Sequence, residues 1–428
     1  MPSLLARLKS QPQTGGITYA GKRCSVAGLL TQADEIRQQH RQLAHQPIGL
    51  TFTNLAEFVT AIIAFDGWCS AIYLCPSNGA MPQIELIQWP LESGLSEQIT
   101  AIENNSASTK EQTAWYLATS GTTGPPKWYS HSFESLTASS KYSEQLQTLN
   151  WALLYQPFRY AGLQVVLQAL LSGADLVDAT DHETLVQLAI LKETKVTAIS
   201  ATPSLWRQLL MTGQLGDLKL RYMTLGGEIA DQSVLDKLKG LFPKAKLRHI
   251  YASTEAGVGL VVSDGLTGFP AKWLNEKSHA VGLKVSDKQH LLVKPKFALD
   301  QNLMTQTDSQ GYLDTHDKVA IKDDRVLFLG RATGTINVGG NKVHPEKVEQ
   351  VLLQCADVNQ AKVYGKKNAL MGELVVADVT IKPDADQQQV KRELMLISKN
   401  QLQRFEIPTK INIVDEMEHN PSGKLNRK

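Results

Sequence analysis

Residues 119–127 read TSGTTGPPK, a run of hydroxyls, glycines, two prolines and one lysine with no apolar side chain larger than proline. Such a stretch does not build core. Gly121 and Gly124 free the backbone for positive φ and for close approach to a ligand, while Thr119, Ser120, Thr122, Thr123 and the backbone N–H groups can all donate hydrogen bonds. With Lys127 at its end, the run has the parts of an anion cradle. It is not the P-loop of the common nucleotide hydrolases, which needs G-x-x-x-x-G-K-[ST]. Gly121 and Gly124 are too close together, and Trp128 follows the lysine where a Mg2+-binding hydroxyl would stand. Taken alone, a Ser/Thr/Gly/Pro cluster is an ordinary loop, so its meaning rests on what flanks it.

Working outward, AWYLAT (114–119) is strand-like and runs into the cradle. Upstream, IGLTFT (48–53) and SAIYLC (70–75) read as strands around a helix whose Leu55, Phe58, Val59, Ile62 and Ile63 repeat at helical spacing, with Asn54 as cap and Glu57 three residues on. Downstream, the helix GLQVVLQALL precedes the strand ADLVDA. Asp181 can cap HETLVQLAILKE before the strand VTAIS, and LRYMTL and KLRHIY flank the helix ADQSVLDKLKGL. Strands alternating with helices predict parallel sheets covered by helices. After about residue 260, QHLLVKP and DDRVLFLG stand among Gly and Asp turns and predict a small antiparallel β unit. From Arg331 on, the helix PEKVEQVLLQ, the strands QAKVYG and ELVVADVTI, a helix from Asp384 to about Leu402 and the strand KINIVD predict a separate α+β domain. The expected fold is therefore α/β: a large N-terminal domain, 1–330, of helix-covered parallel sheets plus the antiparallel unit, and a small mobile C-terminal domain, 331–428.

Composition bounds the partners. The 428 residues are 42% hydrophobic and 20% charged with a net charge of +2, which gives no argument for nucleic acid or for a membrane surface. Residues 331–428 carry 15 Lys and Arg against 12 Asp and Glu, a mild basic excess. Cys24, Cys69, Cys75 and Cys355 show no metal spacing and read as reduced thiols, so a cytoplasmic location is expected. The opening MPSLLARLKS offers no signal core, and LAEFVTAIIAFDGWCSAIYLC is interrupted by Glu57 and Asp66, so no membrane insertion is expected.

Three strand ends carry Gly- or hydroxyl-rich turns: AWYLAT into the cradle, YMTL into GGE (226–228), and HIY into ASTE (252–255). In open parallel sheets ligands bind beyond the carboxyl ends of strands, so the three loops fit one nucleotide crevice.

With these residues in place the chain resembles the adenylate-forming superfamily, which includes acyl- and aryl-CoA synthetases, peptide-synthetase adenylation domains and firefly luciferase. TSGTTGPPK, YASTE (251–255), YLDTHD (312–317), GRATGTINVGGNKVHPEKVE (330–349) and NPSGKL (420–425) follow in that family's order. The resemblance implies a two-step reaction: a carboxylate attacks the α-phosphorus of MgATP to give acyl-AMP and pyrophosphate, and a thiol then takes the acyl group. It implies that Thr119 to Gly124 and Lys127 hold the leaving phosphates and that Glu255 ligates Mg2+. It places Gly226, Gly227, Glu228, Tyr251, Ala252, Ser253 and Thr254 around the adenine, and Asp317 with Arg331 on the ribose. Lys424 would reach the α-phosphate and carboxylate as a catalytic group. Thr333 would mark the hinge, and Gly339 and Gly340 the thiol tunnel. Ala252 and His316 replace the family's usual glycines, and Thr333 an aspartate or lysine.

LLYQPFRYAGLQ (153–164) aligns with the segment that lines the acyl pocket, here Phe158, Arg159, Tyr160 and Gly162. Amino-acid-activating members carry an aspartate there for the ammonium group; Arg159 would repel it and attract an anion. Aryl, fatty and dicarboxylic acids stay open. The acceptor is expected to be CoA or a phosphopantetheinyl carrier protein; with no carrier domain after Lys428, it is expected to arrive in trans. A stand-alone amino-acid adenylating enzyme, or adenylation without thioester formation, is the alternative. Monomer and homodimer are both compatible with the sequence.

Overall fold

Apolar positions alternate with the elements through the first half of the chain. The computed structural model describes residues 3–12, 14–76, 82, 84–91, 112–119, 127–254, 257–274, 281–295, 301–332, 334–368, 371–419 and 424–426. Leu55–Phe65 is a helix buried almost throughout, begun by Asn54, whose side chain accepts from Glu57 N at 3.0 Å. Glu57 reaches back to Thr53, accepting from its N–H at 3.0 Å and its hydroxyl at 2.6 Å, so the reciprocal bond closes one residue before the cap. This helix connects Pro47–Leu50 to Ala71–Leu74, which pair in parallel. Their sheet runs, among the described residues, in the order Ile87–Trp89, Pro47–Leu50, Ala71–Leu74, Ala114–Ala118, Trp128–His131, parallel except at the last strand.

A second sheet is built the same way. Its described strands are Gly257–Val262, Lys246–Ser253, Tyr222–Gly226, Ala198–Ala201, Asn150–Leu153, Asp175–Asp178, Gly16–Tyr19 and Lys22–Ser25, parallel inside and antiparallel at both edges. Helices Tyr160–Ser172, Thr184–Glu193, Pro203–Met211 and Gln232–Leu241 connect its strands. One expected cap is corrected here. Asp181 takes a left-handed conformation (φ 57°), which a short polar residue tolerates, and accepts from Gln156 Nε2, while the helix starts later, at Thr184, with Glu183 as cap residue and no side-chain cap bond.

The expected antiparallel unit is a sheet of Phe269–Pro270, Arg325–Arg331, Leu313–Lys322, His290–Lys294 and Gly282–Val285. Arg331 still belongs to it, opposite Asp317, and the next sheet begins at Ile336. That sheet joins Asn341–Val343, Ile336–Val338, Gly372–Ile381, Val358–Asn368 and the parallel Lys410–Ile413, with helices Pro345–Leu352 and Gln387–Gln401. Val348, Leu352, Val363, Ala377 and Leu394 belong to its own apolar core. Gly339 and Gly340 form the two-residue turn of its first hairpin with φ of 57° and 87°, a pair of left-handed positions that glycine fills without strain.

Asp66, which interrupts the longest apolar stretch of the sequence, is a core residue. It is 2% exposed, accepts from Leu4 N at 2.6 Å and Trp115 Nε1 at 2.8 Å, and burial pushes its pKa up. Among the described residues no helix is long and apolar enough to cross a membrane. All four cysteines are free, and Cys69, Cys75 and Cys355 are buried.

Candidate active site

Sheet register brings the carboxyl ends of three parallel strands level. Ala201 pairs with Leu225 and Gly226 with Ile250, so Thr202, Gly227 and Tyr251 follow at one edge. Gly226 has ordinary room, the nearest atom to an added Cβ being Ile250 O at 3.6 Å. Gly227 does not. It has φ 81°, and a Cβ there would lie 3.2 Å from Lys424 Cε, 3.7 Å from Lys424 Nζ and 3.7 Å from Thr202 Cγ2. The lysine from the far end of the chain therefore packs against the glycine turn of the large sheet.

Glu228, the next residue, holds that arrangement. Its Oε2 accepts from Ser204 N at 3.0 Å, in the first turn of Pro203–Met211, and its Oε1 accepts from Leu425 N at 3.3 Å. A carboxylate at a helix N-terminus is favoured by the orphan N–H groups and the dipole. Thr202 caps the same turn through Leu205 N at 3.1 Å. Its signal is legible in retrospect, because VTAISATP ends a fourth parallel strand with a Thr–Pro helix start. His419 makes a second bridge, with Gln208 Nε2 2.8 Å from its Nδ1 and Gln360 Nε2 3.3 Å from its Nε2. Burial lowers its pKa below the usual histidine value. Glu228 thus ties the helix to the C-terminal segment.

Asp317 lies between two partners. Tyr251 donates its phenol to Oδ2 at 2.5 Å, and Arg331 Nε is 2.9 Å from Oδ1 across the strand pair. Burial and the facing carboxylate hold the Tyr251 phenol well above its ordinary pKa, so it stays a donor. One face of the Tyr251 ring is taken by Phe328, with centroids 5.0 Å apart and planes 19° apart. Each carboxylate oxygen has more than one acceptor site, so these two bonds do not exhaust the acceptor capacity of Asp317. Ala252, Ser253 and Thr254 follow, half-buried, after a register shift at Tyr251/Ala252. His316, in place of a glycine, keeps a glycine-like φ of 56°.

The cradle is closed at its base. Ala118 pairs with Trp128, and Thr119 N donates to Lys127 O at 2.9 Å, with Lys127 exposed. Ser120, Gly121, Thr122, Thr123 and Gly124 lie outside the described residues, as do Glu255 and the hinge residue Thr333. Arg159 approaches from the second sheet: its Nη1 donates to Ala118 O at 3.3 Å and its guanidinium lies 5.4 Å from the Phe158 ring. Burial lowers its pKa, and among the described residues no carboxylate pairs with it. Tyr160 is buried beside the His131 ring at 5.6 Å. Gly162 is a packing glycine, since a Cβ would lie 2.1 Å from Gln156 O. The exposed Gly339–Gly340 turn is tied to its own domain, Gly339 N to Met371 O at 2.8 Å and Gly340 N to Asn337 Oδ1 at 3.1 Å.

Known proteins share the families of both parts of the chain and its fold. The family model described as AMP-binding enzyme matches residues 23–298, and that described as AMP-binding enzyme C-terminal domain matches residues 347–424. The 2-succinylbenzoate–CoA ligase of Listeria innocua is 26% identical over 365 residues, covering 78% of this chain and 74% of that one. An anthranilate CoA ligase solved with anthranoyl-AMP has the same fold at a TM-score of 0.77 and 15% identity, over 99% of this chain and 95% of that one. The o-succinylbenzoate CoA synthetase of Bacillus subtilis, solved with its acyl-adenylate, has a TM-score of 0.71 at 20% identity over 100% and 97% of the two chains.

Proposed function

Because the chain belongs to the AMP-binding enzyme family, we propose that it activates a carboxylic acid with ATP to acyl-AMP and pyrophosphate and then passes the acyl group to a thiol. One observation carries this reading: Lys424 lies against Gly227 at the strand edge that also bears Tyr251 and, through it, Asp317. That is where a cation would meet the α-phosphate and the attacking carboxylate of a nucleotide whose ribose is held by Asp317. Lys127 and residues 119–124 take the leaving phosphates, and Glu255 takes Mg2+, which would neutralise phosphate charge during the transfer. CoA is the acceptor favoured by the CoA ligases among the relatives.

The acid is read from Arg159. A half-buried guanidinium whose described partners are one carbonyl and an aromatic ring has donors left for a ligand. It favours acids with a second anionic or accepting group, such as hydroxybenzoates or dicarboxylates, over plain fatty acids, and it opposes an amino-acid ammonium. Acid-dependent ATP–pyrophosphate exchange across aryl, fatty, dicarboxylic and amino acids, followed by thioester detection with CoA, tests the activity. Exchange with no member of the panel would reject it. Arg159→Leu is expected to lower kcat/KM for a polar acid by about 10- to 150-fold, the range for losing a hydrogen bond to a charged group, and to leave an unsubstituted acid nearly unchanged. A uniform loss across acids would remove Arg159 from the pocket.

The same reading gives the C-terminal domain, 331–428, a second orientation about residues 331–334. Gly334 supports it, since an added Cβ there would meet nothing within 4 Å. Rotation would withdraw Lys424 and bring the Gly339–Gly340 turn to the crevice for thiol transfer.

A further inference from the structure

The strand that carries Asp317 has two faces, and the opposite one presents metal-ligand chemistry. Tyr251 engages Asp317 and Thr315 from one side. Asp314 and His316 alternate with them and meet His290 from the neighbouring strand. His290 Nδ1 is 3.0 Å from Asp314 Oδ2, and His316 Nδ1 is 3.6 Å from Asp314 Oδ1. The two rings stand edge to face with centroids 5.8 Å apart. One donor atom from each of the three residues lies within 4.8 Å of the other two.

We propose that His290, Asp314 and His316 bind one zinc-class divalent cation, in a site separate from the Mg2+ of the reaction. Two imidazoles and one carboxylate are the ligand types that zinc takes with nitrogen and oxygen at about 2.0–2.2 Å, which puts tetrahedral ligand atoms about 3.3 Å apart. The two imidazoles approach opposite oxygens of the Asp314 carboxylate, at 3.0 and 3.6 Å, and one ligand atom from each residue lies within 4.8 Å of the others, so modest side-chain adjustment closes the set to that edge. His316 is the exposed member of the set and His290 the buried one, so His316 has the freedom to adjust to a cation. Zinc takes each histidine through one ring nitrogen of its neutral imidazole. Solvent supplies the fourth position on the exposed side. Mg2+, which prefers oxygen ligands and octahedral geometry, is poorly served by two imidazoles.

The backbone links this site to the crevice. His316 O accepts from Ala332 N at 2.8 Å, at the start of the 331–334 segment, and its own N–H donates to Asp314 Oδ1 at 2.7 Å. A cation on His316 therefore fixes the residue that immediately precedes Asp317.

The test is competition for Zn2+ against a chromophoric chelator with the full chain. His316→Gly removes a ligand while suiting the positive φ at that position, so the variant keeps the fold. Wild type is expected to bind one equivalent of Zn2+ at micromolar affinity or tighter, His316→Gly at least tenfold more weakly, and His290→Asn likewise. Failure of the wild type to bind, equal binding by His316→Gly, or displacement of Zn2+ by millimolar Mg2+ would each overturn the assignment. None of these readouts depends on turnover, so they are separable from the proposed activity.

Discussion

Lys424→Ala is expected to lower acyl-adenylate formation by about 10²–10³ with little change in nucleotide affinity, because a donor aimed at charge that develops only in the transition state contributes chiefly there. The lysine is held against Gly227 by the Leu425–Glu228 bond and the His419 bridge, so its ammonium is delivered by a docked segment. Exchange rate measured beside ATP affinity separates the two effects. An unchanged exchange rate would take Lys424 out of the chemistry. If the proposed division of roles holds, the thiol-transfer step, started from isolated acyl-adenylate, is expected to be nearly untouched.

Gly227→Val is expected to produce a loss of similar size, about 10²-fold or more, by a different route. At φ 81° a β-branched residue is strained by about 1–3 kcal/mol, and its added carbons occupy the space of Lys424 Cε. The lysine is then displaced while its own side chain remains intact. Combining Gly227→Val with Lys424→Ala should therefore add little to either alone, because both remove the same contact. Fully multiplicative losses in the exchange assay would show that the two act independently and would refute the steric account.

The parallel-sheet architecture could be read from the sequence wherever apolar strands alternated with helices at regular spacing, as from IGLTFT to SAIYLC or from VTAIS to KLRHIY. Strand direction at the edges could not. Trp128–His131 is half-buried along its whole length and shows no alternation, and Gly257–Val262 follows its partner without a helix. That Asp317 and Arg331 belong together was accessible from YLDTHD and GRATG, since both lie in short ordered motifs, and the two side chains do pair. The partner of Arg159 was not, because Ala118 O is a backbone atom 41 residues away and no pattern of side chains announces it. The partners of Glu228 were hidden for the same reason: GGE locates it next to the glycine turn, but the groups it binds are two backbone N–H groups, at Ser204 and Leu425. Asp66 was read as an interruption of an apolar run, whereas a buried carboxylate is tolerated where it has two donors waiting.

Glu228 also bears on how firmly the C-terminal segment is kept in place. Only one of its oxygens serves Leu425, through a single N–H at 3.3 Å, while the other stays with the helix whatever the segment does. When Leu425 leaves, water can replace it on a half-buried oxygen, so the net stabilisation is about 0.5–1.5 kcal/mol, a population ratio of roughly 2 to 13. Such a clasp biases the ensemble without trapping it. Release of Leu425 alone is then a thermally easy event, whereas release of the whole segment must also break the Gln208–His419 bridge and unpack Lys424 from Gly227.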